Sequence, residues 1–219
     1  MPGALLAAVA FKALVSALPL GAWGEAASLD IIRTAKLMGL PVTCGVSINH
    51  LTLNENDIGP YRTFFKMKPP LRSEDDRRAM VEGVASGDID VIVSAHDPRG
   101  AEGKRRPFAE AADGAAGLET LLGAALRLYH SGDVELGQLL KALTANPARL
   151  LGIDSGRLVK GAPADVVLID LETPWVVEPE QLRSKSKNTP FDAARLQGRA
   201  LLTVVAGRLV YNYADSQGP

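Results

Sequence analysis

The stretch "VIVSAHDPRG", Val91 to Gly100, concentrates residues that could do chemistry. Val91, Ile92 and Val93 read as a short buried strand, and Ser94, Ala95, His96, Asp97 and Pro98 follow at once. Polar residues just past the C-terminal end of a buried strand stand where α/β folds collect their catalytic groups. The residue directly after Ser94, where a carboxylate would serve well, is alanine. A second stretch, Asn49-His50, follows the apolar run "LPVTCGVSI". With His96 and His130, His50 completes the three histidines of the chain, a hard limit on any histidine-rich metal site.

The elements around these residues are legible from periodicity. "SLDIIRTAKLMG" carries apolar residues near helical period, with Ser28 as N-cap and Gly39 as C′ residue. "PVTCGVSI" is a strand by β-branching, and "NHLTLNENDIGPYRTFFKMKPPLR" is a long polar connection of the kind that is often functional. "SEDDRRAMVEGVASG" predicts a helix capped by Ser73, with Asp76 three residues on. After the strand at 91–93 comes a second long loop, "AEGKRRPFAEAADGAAG". The amphipathic helix "LETLLGAALRLYHSG" follows, then "ELGQLLKALTANPARLLG". His130, near the end of the first of these two helices, reads as a partly exposed helix-end cation. Alternating strand, long loop and helix implies parallel βαβ units with the loops at the strand C-terminal ends. Only two clear strands occur here, and a closed eight-stranded barrel needs roughly 250 residues. Beyond Asp154, "SGRLVKGAPADVVLIDLETPWVV" and "GRALLTVVAGRLVYNY" read as strands and hairpins of a small β module.

Bulk properties narrow the function classes. The chain has 219 residues, 24 basic and 25 acidic, for a net charge of −1. That excludes a nucleic-acid surface, which needs a clustered basic excess. The short runs Arg77-Arg78 and Lys104-Arg105-Arg106 read as solvated faces. A single cysteine, Cys44, forbids an internal disulfide, reads as a buried structural thiol and fits a reducing cytoplasm. The apolar N-terminal run "ALLAAVAFKALVSALPLGAW" is interrupted by Lys12 and Pro19 and lacks the basic residues that precede a secretory signal. It reads as a buried helix or as sequence foreign to the domain, not as a membrane span.

Six blocks in order, "NHLTLNENDIG", "FFKMKPPLRSEDDRRAMVEGVASGDIDVIVSAHDP", "PFAEAADGAAGLET", "NPARLLGI", "GRLVKGAPADVVLID" and "SKSKNTPF", resemble the C-terminal half of dihydroorotase, a cyclic amidohydrolase of pyrimidine biosynthesis. "GAPADVVLID" recurs across the amidohydrolase superfamily, whereas "SKSKNTPF" points more narrowly to dihydroorotase. The resemblance implies an α/β chain: a partial TIM-like (β/α) barrel followed by a small β-sandwich module. Residues 1–27 are then an unmatched apolar segment, 28–153 the C-terminal part of the barrel, and 154–219 the β module of a composite sandwich. The family opens and closes the ring of dihydroorotate, with N-carbamoyl-aspartate as the open form. Its zinc ions are held by a His-x-His, a bridging carboxylate or carboxylated lysine, two later histidines and an aspartate that also shuttles the proton. Bound zinc brings the pKa of its water to about 7.

Carried over residue by residue, the resemblance leaves gaps. No His-x-His occurs in the sequence. His50 stands as the remnant metal ligand beside Asn49, where the family often has a His-His pair. Lys68 replaces the substrate-binding asparagine of Asn-Pro-Pro-Leu-Arg. Ala95 falls on the catalytic aspartate, followed by His96, Asp97 and Pro98, and can neither ligate metal nor carry a proton. Asp97 lies two residues off, a displacement of up to about 7 Å, whereas metal sites tolerate errors of about 0.2 Å. Arg99 falls on the histidine that binds the substrate carboxylate and could grip it bidentately. The expectation is a truncated, catalytically degenerate dihydroorotase-like chain, inactive alone and binding no zinc. Two other readings stand beside it. One is a non-catalytic subunit that scaffolds aspartate carbamoyltransferase or forms a homo-oligomer. The other is an enzyme whose missing ligands come from a partner chain.

Overall fold

The computed structural model describes residues 26–216. The apolar run within residues 1–25 lies outside the described residues. The first helix among the described residues, α1 (Ala26–Leu37), is already formed at Ala26, whose N–H donates to Asp76 Oδ1 at 2.9 Å. Ser28 therefore lies inside the helix rather than capping it. At the other end Gly39 adopts φ +75°, as its place after the last turn predicts.

Two short parallel strands form the centre. β1 (Gly45–Ser47) pairs with β2 (Val91–Val93) in the register Gly45↔Val91, Val46↔Ile92, Ser47↔Val93. Every residue of both strands is buried, as parallel strands covered on both faces require. Between them runs α3 (Glu74–Ser86), and directly after β1 stands the short α2 (Ile48–Thr52). Ser73 caps α3 by accepting the Asp76 N–H at 3.2 Å, and Gly87 closes it in the left-handed region at φ +83°. Gly83 lets α1 and α3 approach: a Cβ there would lie 2.8 Å from Leu29 Cδ2.

The loop after β2 carries α4 (Ala101–Lys104) and returns at Ala115, which pairs with His96 as an isolated parallel bridge. Then come α5 (Leu121–His130), α6 (Leu136–Leu143) and α7 (Ala145–Leu150). Ile48, Leu51, Val84, Ile89, Ile92, Leu126 and Leu139 are fully buried where these helices meet the two strands. This is the α/β layering of a partial (β/α) barrel. Among the described residues, no helix is long and apolar enough to cross a membrane.

The C-terminal module is one antiparallel sheet. It orders β3 (Val166–Val176), β4 (Arg195–Val205) and β5 (Arg208–Asn212), with α8 (Tyr213–Ser216) at its end. The β4–β5 turn places Ala206 at φ +48° and Gly207 at φ +76°, the two positive angles of a type I′ hairpin. Residues 156–165, whose Gly-Pro-Asp pattern reads as punctuation between strands, form bends and turns ahead of β3. Among the described residues the module that the sequence reads as part of a composite sandwich is a single three-stranded sheet. Val166, Val167, Leu168, Leu209 and Val210 are exposed at its far end. Its near end docks on α5. Trp175 Nε1 donates to Gly198 O at 3.0 Å, and Gly123 lies against Leu196 and Trp175.

Candidate functional site

Two strand ends converge. Ser47, the last residue of β1, caps α2 by accepting the Asn49 N–H at 3.1 Å. That turn buries Asn49 and His50, so neither is the polar loop residue that the sequence suggests. His50 Nε2 lies 3.1 Å from the carbonyl oxygen of Pro70. A carbonyl only accepts, so Nε2 carries the proton. Burial pushes the His50 pKa below its ordinary range, partly offset by the carbonyls of Pro70 and Pro69. Asn49 Oδ1 is buried with no partner among the described residues. Lys68 projects into solvent at the start of the Pro69-Pro70 turn.

At the end of β2, Ser94 is fully buried and its Oγ accepts the His96 N–H at 3.3 Å. Ala95 turns the chain at φ +47°, in the left-handed region. His96 Nδ1 accepts two backbone N–H groups, from Gly117 at 3.2 Å and Leu118 at 3.3 Å. Nδ1 is therefore unprotonated and Nε2 holds the proton. Burial lowers the His96 pKa, with the charges of Glu119 and Asp97 working against it. Gly117 is needed here, because a Cβ would come within 2.7 Å of Ser94 O. His96 then lines a narrow cleft with Glu119, Thr120 and Ser184. Beyond it, Arg99 donates from Nε to Asp113 O at 2.7 Å and from Nη2 to Asp97 Oδ2 at 2.5 Å. Asp97 faces Arg99, and Pro98 between them is exposed.

The two long loops are laced together by lysines. Lys104 is 3% exposed, and its Nζ donates to Thr63 O at 2.9 Å and Lys66 O at 3.3 Å. Lys66 Nζ reaches back to Ala109 O at 2.9 Å and Ala111 O at 2.8 Å. The reading of Lys104-Arg105-Arg106 as a solvated run holds for Arg105 and Arg106 and is wrong for Lys104. Burial brings the Lys104 pKa down to about 8. Its partners are backbone carbonyls some forty residues away, which no local pattern announces. Asn188 is a second residue that the pattern leaves unassigned. It is buried against the β2 loop, accepting the Arg99 N–H at 3.2 Å.

Comparison with known proteins places this geometry. The pattern of the family described as "Amidohydrolase family" matches residues 66–211. The chain belongs to the amidohydrolase family. It is 44% identical over 184 residues to the dihydroorotase of Anaplasma phagocytophilum (strain HZ), covering 84% of this chain and 41% of that protein. It is 45% identical over 188 residues to the dihydroorotase of Anaeromyxobacter dehalogenans (strain 2CP-C), covering 85% and 43%. Among solved structures, L-hydantoinase (dihydropyrimidinase) from Arthrobacter aurescens superposes with a TM-score of 0.83 at 28% identity, covering 94% of this chain and 48% of that one. The chain thus spans less than half the length of the amidohydrolases it matches.

The zinc centre implied by the family does not fit the described residues. Zinc takes about four nitrogen, sulfur or oxygen ligands. His50 has its Nε2 proton on Pro70, His96 has Nδ1 on two amides, and Ala95 offers no donor. Asn49 Oδ1 is one orphaned oxygen, and no group of three His, Cys, Asp or Glu comes together among the described residues. What the arrangement presents instead is a guanidinium, a neutral imidazole with its N–H on Nε2, and a scaffold of backbone amides.

Proposed function

We propose that this amidohydrolase-family chain is dihydroorotase-like and binds the dihydroorotate/N-carbamoyl-aspartate pair, but does not by itself interconvert them. One observation carries the reading: Ala95 stands at the end of β2, with Ser94 and His96 held around it by hydrogen bonds. A methyl group cannot take the proton that ring opening and closing must move. The similarity to dihydroorotases supports the substrate class. Arg99 keeps guanidinium N–H groups beyond those spent on Asp97 and Asp113, and a planar fork suits a carboxylate. The bare apolar end of the β3–β5 sheet supports its reading as one layer of a composite sandwich.

The test is calorimetric titration of the purified chain with N-carbamoyl-aspartate, beside an ultraviolet assay of ring opening with and without added zinc. Binding without turnover in either condition is the expected result. Zinc-dependent turnover by this chain alone would overturn it, and so would the absence of binding.

A further inference from the structure

The block "SKSKNTPF", Ser184 to Phe191, takes no part in the strand-end chemistry, yet it is wired into the loop that carries it. Asn188 is 4% exposed. Its Oδ1 accepts the Arg99 N–H at 3.2 Å, its Nδ2 donates to Gly114 O at 3.3 Å, and its carbonyl accepts the Ala116 N–H at 2.9 Å. Ser186 Oγ lies against both Arg99 O and Asn188 Oδ1. The loop after β2 leaves near Asp97 and returns at Ala115, so Asn188, bonded to Arg99 on one side and to Gly114 and Ala116 on the other, holds both of its feet. One foot carries Arg99. The other leads into Gly117 and Leu118, whose amides hold His96 Nδ1.

The segment bearing Asn188 is itself anchored. Thr189 and Phe191 are buried, and Lys187 Nζ donates to Leu182 O at 2.5 Å. Glu119 reaches across in the opposite direction, accepting the N–H groups of Arg183 at 2.9 Å and Ser184 at 3.1 Å. The β module and the strand-end loop are therefore joined by reciprocal hydrogen bonds around His96.

The structure assigns Asn188 as a positioning residue that sets Arg99 and the His96 ring relative to one another from the C-terminal module. The assignment deepens the proposed function. It rests on that reading for the ligand, while its geometry stands apart from it. An amide is required because one end must accept from Arg99 N–H while the other donates to Gly114 O. A carboxylate fulfils the first demand and repels the second.

The test uses the full chain with Asn188→Ala, Asn188→Asp and Arg99→Ala. Three quantities are read: the ring 15N shifts of His96, hydrogen exchange across residues 97–117, and the dissociation constant for N-carbamoyl-aspartate. Both Asn188 variants are expected to move the His96 Nδ1 signal and to speed exchange in the loop while residues 74–86 stay protected. Binding should weaken about tenfold, the loss of one or two hydrogen bonds' worth of order. Arg99→Ala should weaken binding and leave the His96 ring signal in place. Folded Asn188 variants with wild-type ring shifts and loop exchange would overturn the assignment. Should the alanine variant not fold, the isosteric aspartate decides on the same two readouts. A shifted ring signal in a chain that binds no ureido acid sinks the ligand reading and leaves the positioning role standing.

Discussion

His50 and Pro70 are joined by one hydrogen bond, Nε2 to carbonyl oxygen at 3.1 Å, and that bond fixes the tautomer of a buried imidazole. A ring that donates from Nε2 cannot offer that nitrogen to a metal. The same bond ties the end of β1 to the turn at Lys68-Pro69-Pro70, so His50 joins the strand to its long loop.

His50→Leu should cost about 1 kcal/mol at neutral pH, because Pro70 is exposed enough for water to take its carbonyl. The pH dependence has a definite sign. Burial lowers the folded-state pKa, so the unfolded chain takes up the proton first as pH falls. Stability is complete above the ordinary histidine pKa and declines below about pH 6.5. His96 contributes a decline of the same sign. Urea midpoints from pH 7.5 to 5 should fall more gently in His50→Leu than in the parent. Parallel curves would show that His50 does not titrate with unfolding.

Ala95→Asp should be nearly neutral for stability, within about 0.5 kcal/mol. Ala95 holds φ +47°, a region in which aspartate and asparagine are far commoner than alanine. The backbone at this strand end therefore already suits a carboxylate. Zinc content should stay below stoichiometric in the variant, because one new oxygen does not release His50 from Pro70. Elemental analysis beside thermal melts checks both claims, and a full zinc complement would refute the second.

Much of this fold is legible in the sequence. The Ser73 cap, the left-handed Gly39 and the two strand ends follow from short-range rules, because each depends on residues within a few positions. The site was legible as a place and only partly as a mechanism. The alanine at 95 is visible in the sequence, but its left-handed backbone is not. Ser28 failed as a cap because the helix is already formed upstream of it. Lys104 failed because three consecutive basic residues look solvated unless the carbonyls of Thr63 and Lys66 are known to face one of them. Asn49 and His50 looked like loop residues because five residues of helix leave too faint a periodic signal.

Asp97→Asn should strengthen carboxylate binding. Asp97 Oδ2 sits 2.5 Å from Arg99 Nη2, with the two side chains 51% and 44% exposed. A pair this open contributes little to folding, yet it neutralises the charge that a ligand carboxylate would meet. The dissociation constant for N-carbamoyl-aspartate should fall about threefold, the scale of one exposed ion pair. The melting temperature should hardly move. Unchanged affinity would mean that Arg99 does not contact the carboxylate.

Lys104 gives the strongest test of the lace between the two loops. Its ammonium is buried against Thr63 O and Lys66 O, and burial lowers its pKa to about 8 from the ordinary lysine range. Asp113 and Asp97 face it and favour the charge, while Arg99 and Lys66 oppose it. Above pH 8 the folded chain releases this proton while the unfolded chain still holds it, so stability rises with pH until about 10.4. The neutral amine still has two N–H groups, so both carbonyls stay satisfied. Cys44 works the other way. Its buried thiol is pushed up to about 12, so alkaline pH favours the unfolded thiolate. The comparison therefore belongs in a Cys44→Ala background. There the chain should gain stability between pH 7.5 and 9.5, measured by urea unfolding. Adding Lys104→Met should remove the gain and cost about 1–3 kcal/mol at pH 7.5, because two carbonyls lose their donor. A rise that survives the substitution would place the titrating group elsewhere. A substitution without cost would show that the Lys104 ammonium adds nothing net to the other bonds between the two loops, such as Thr63 Oγ1 to Lys104 O.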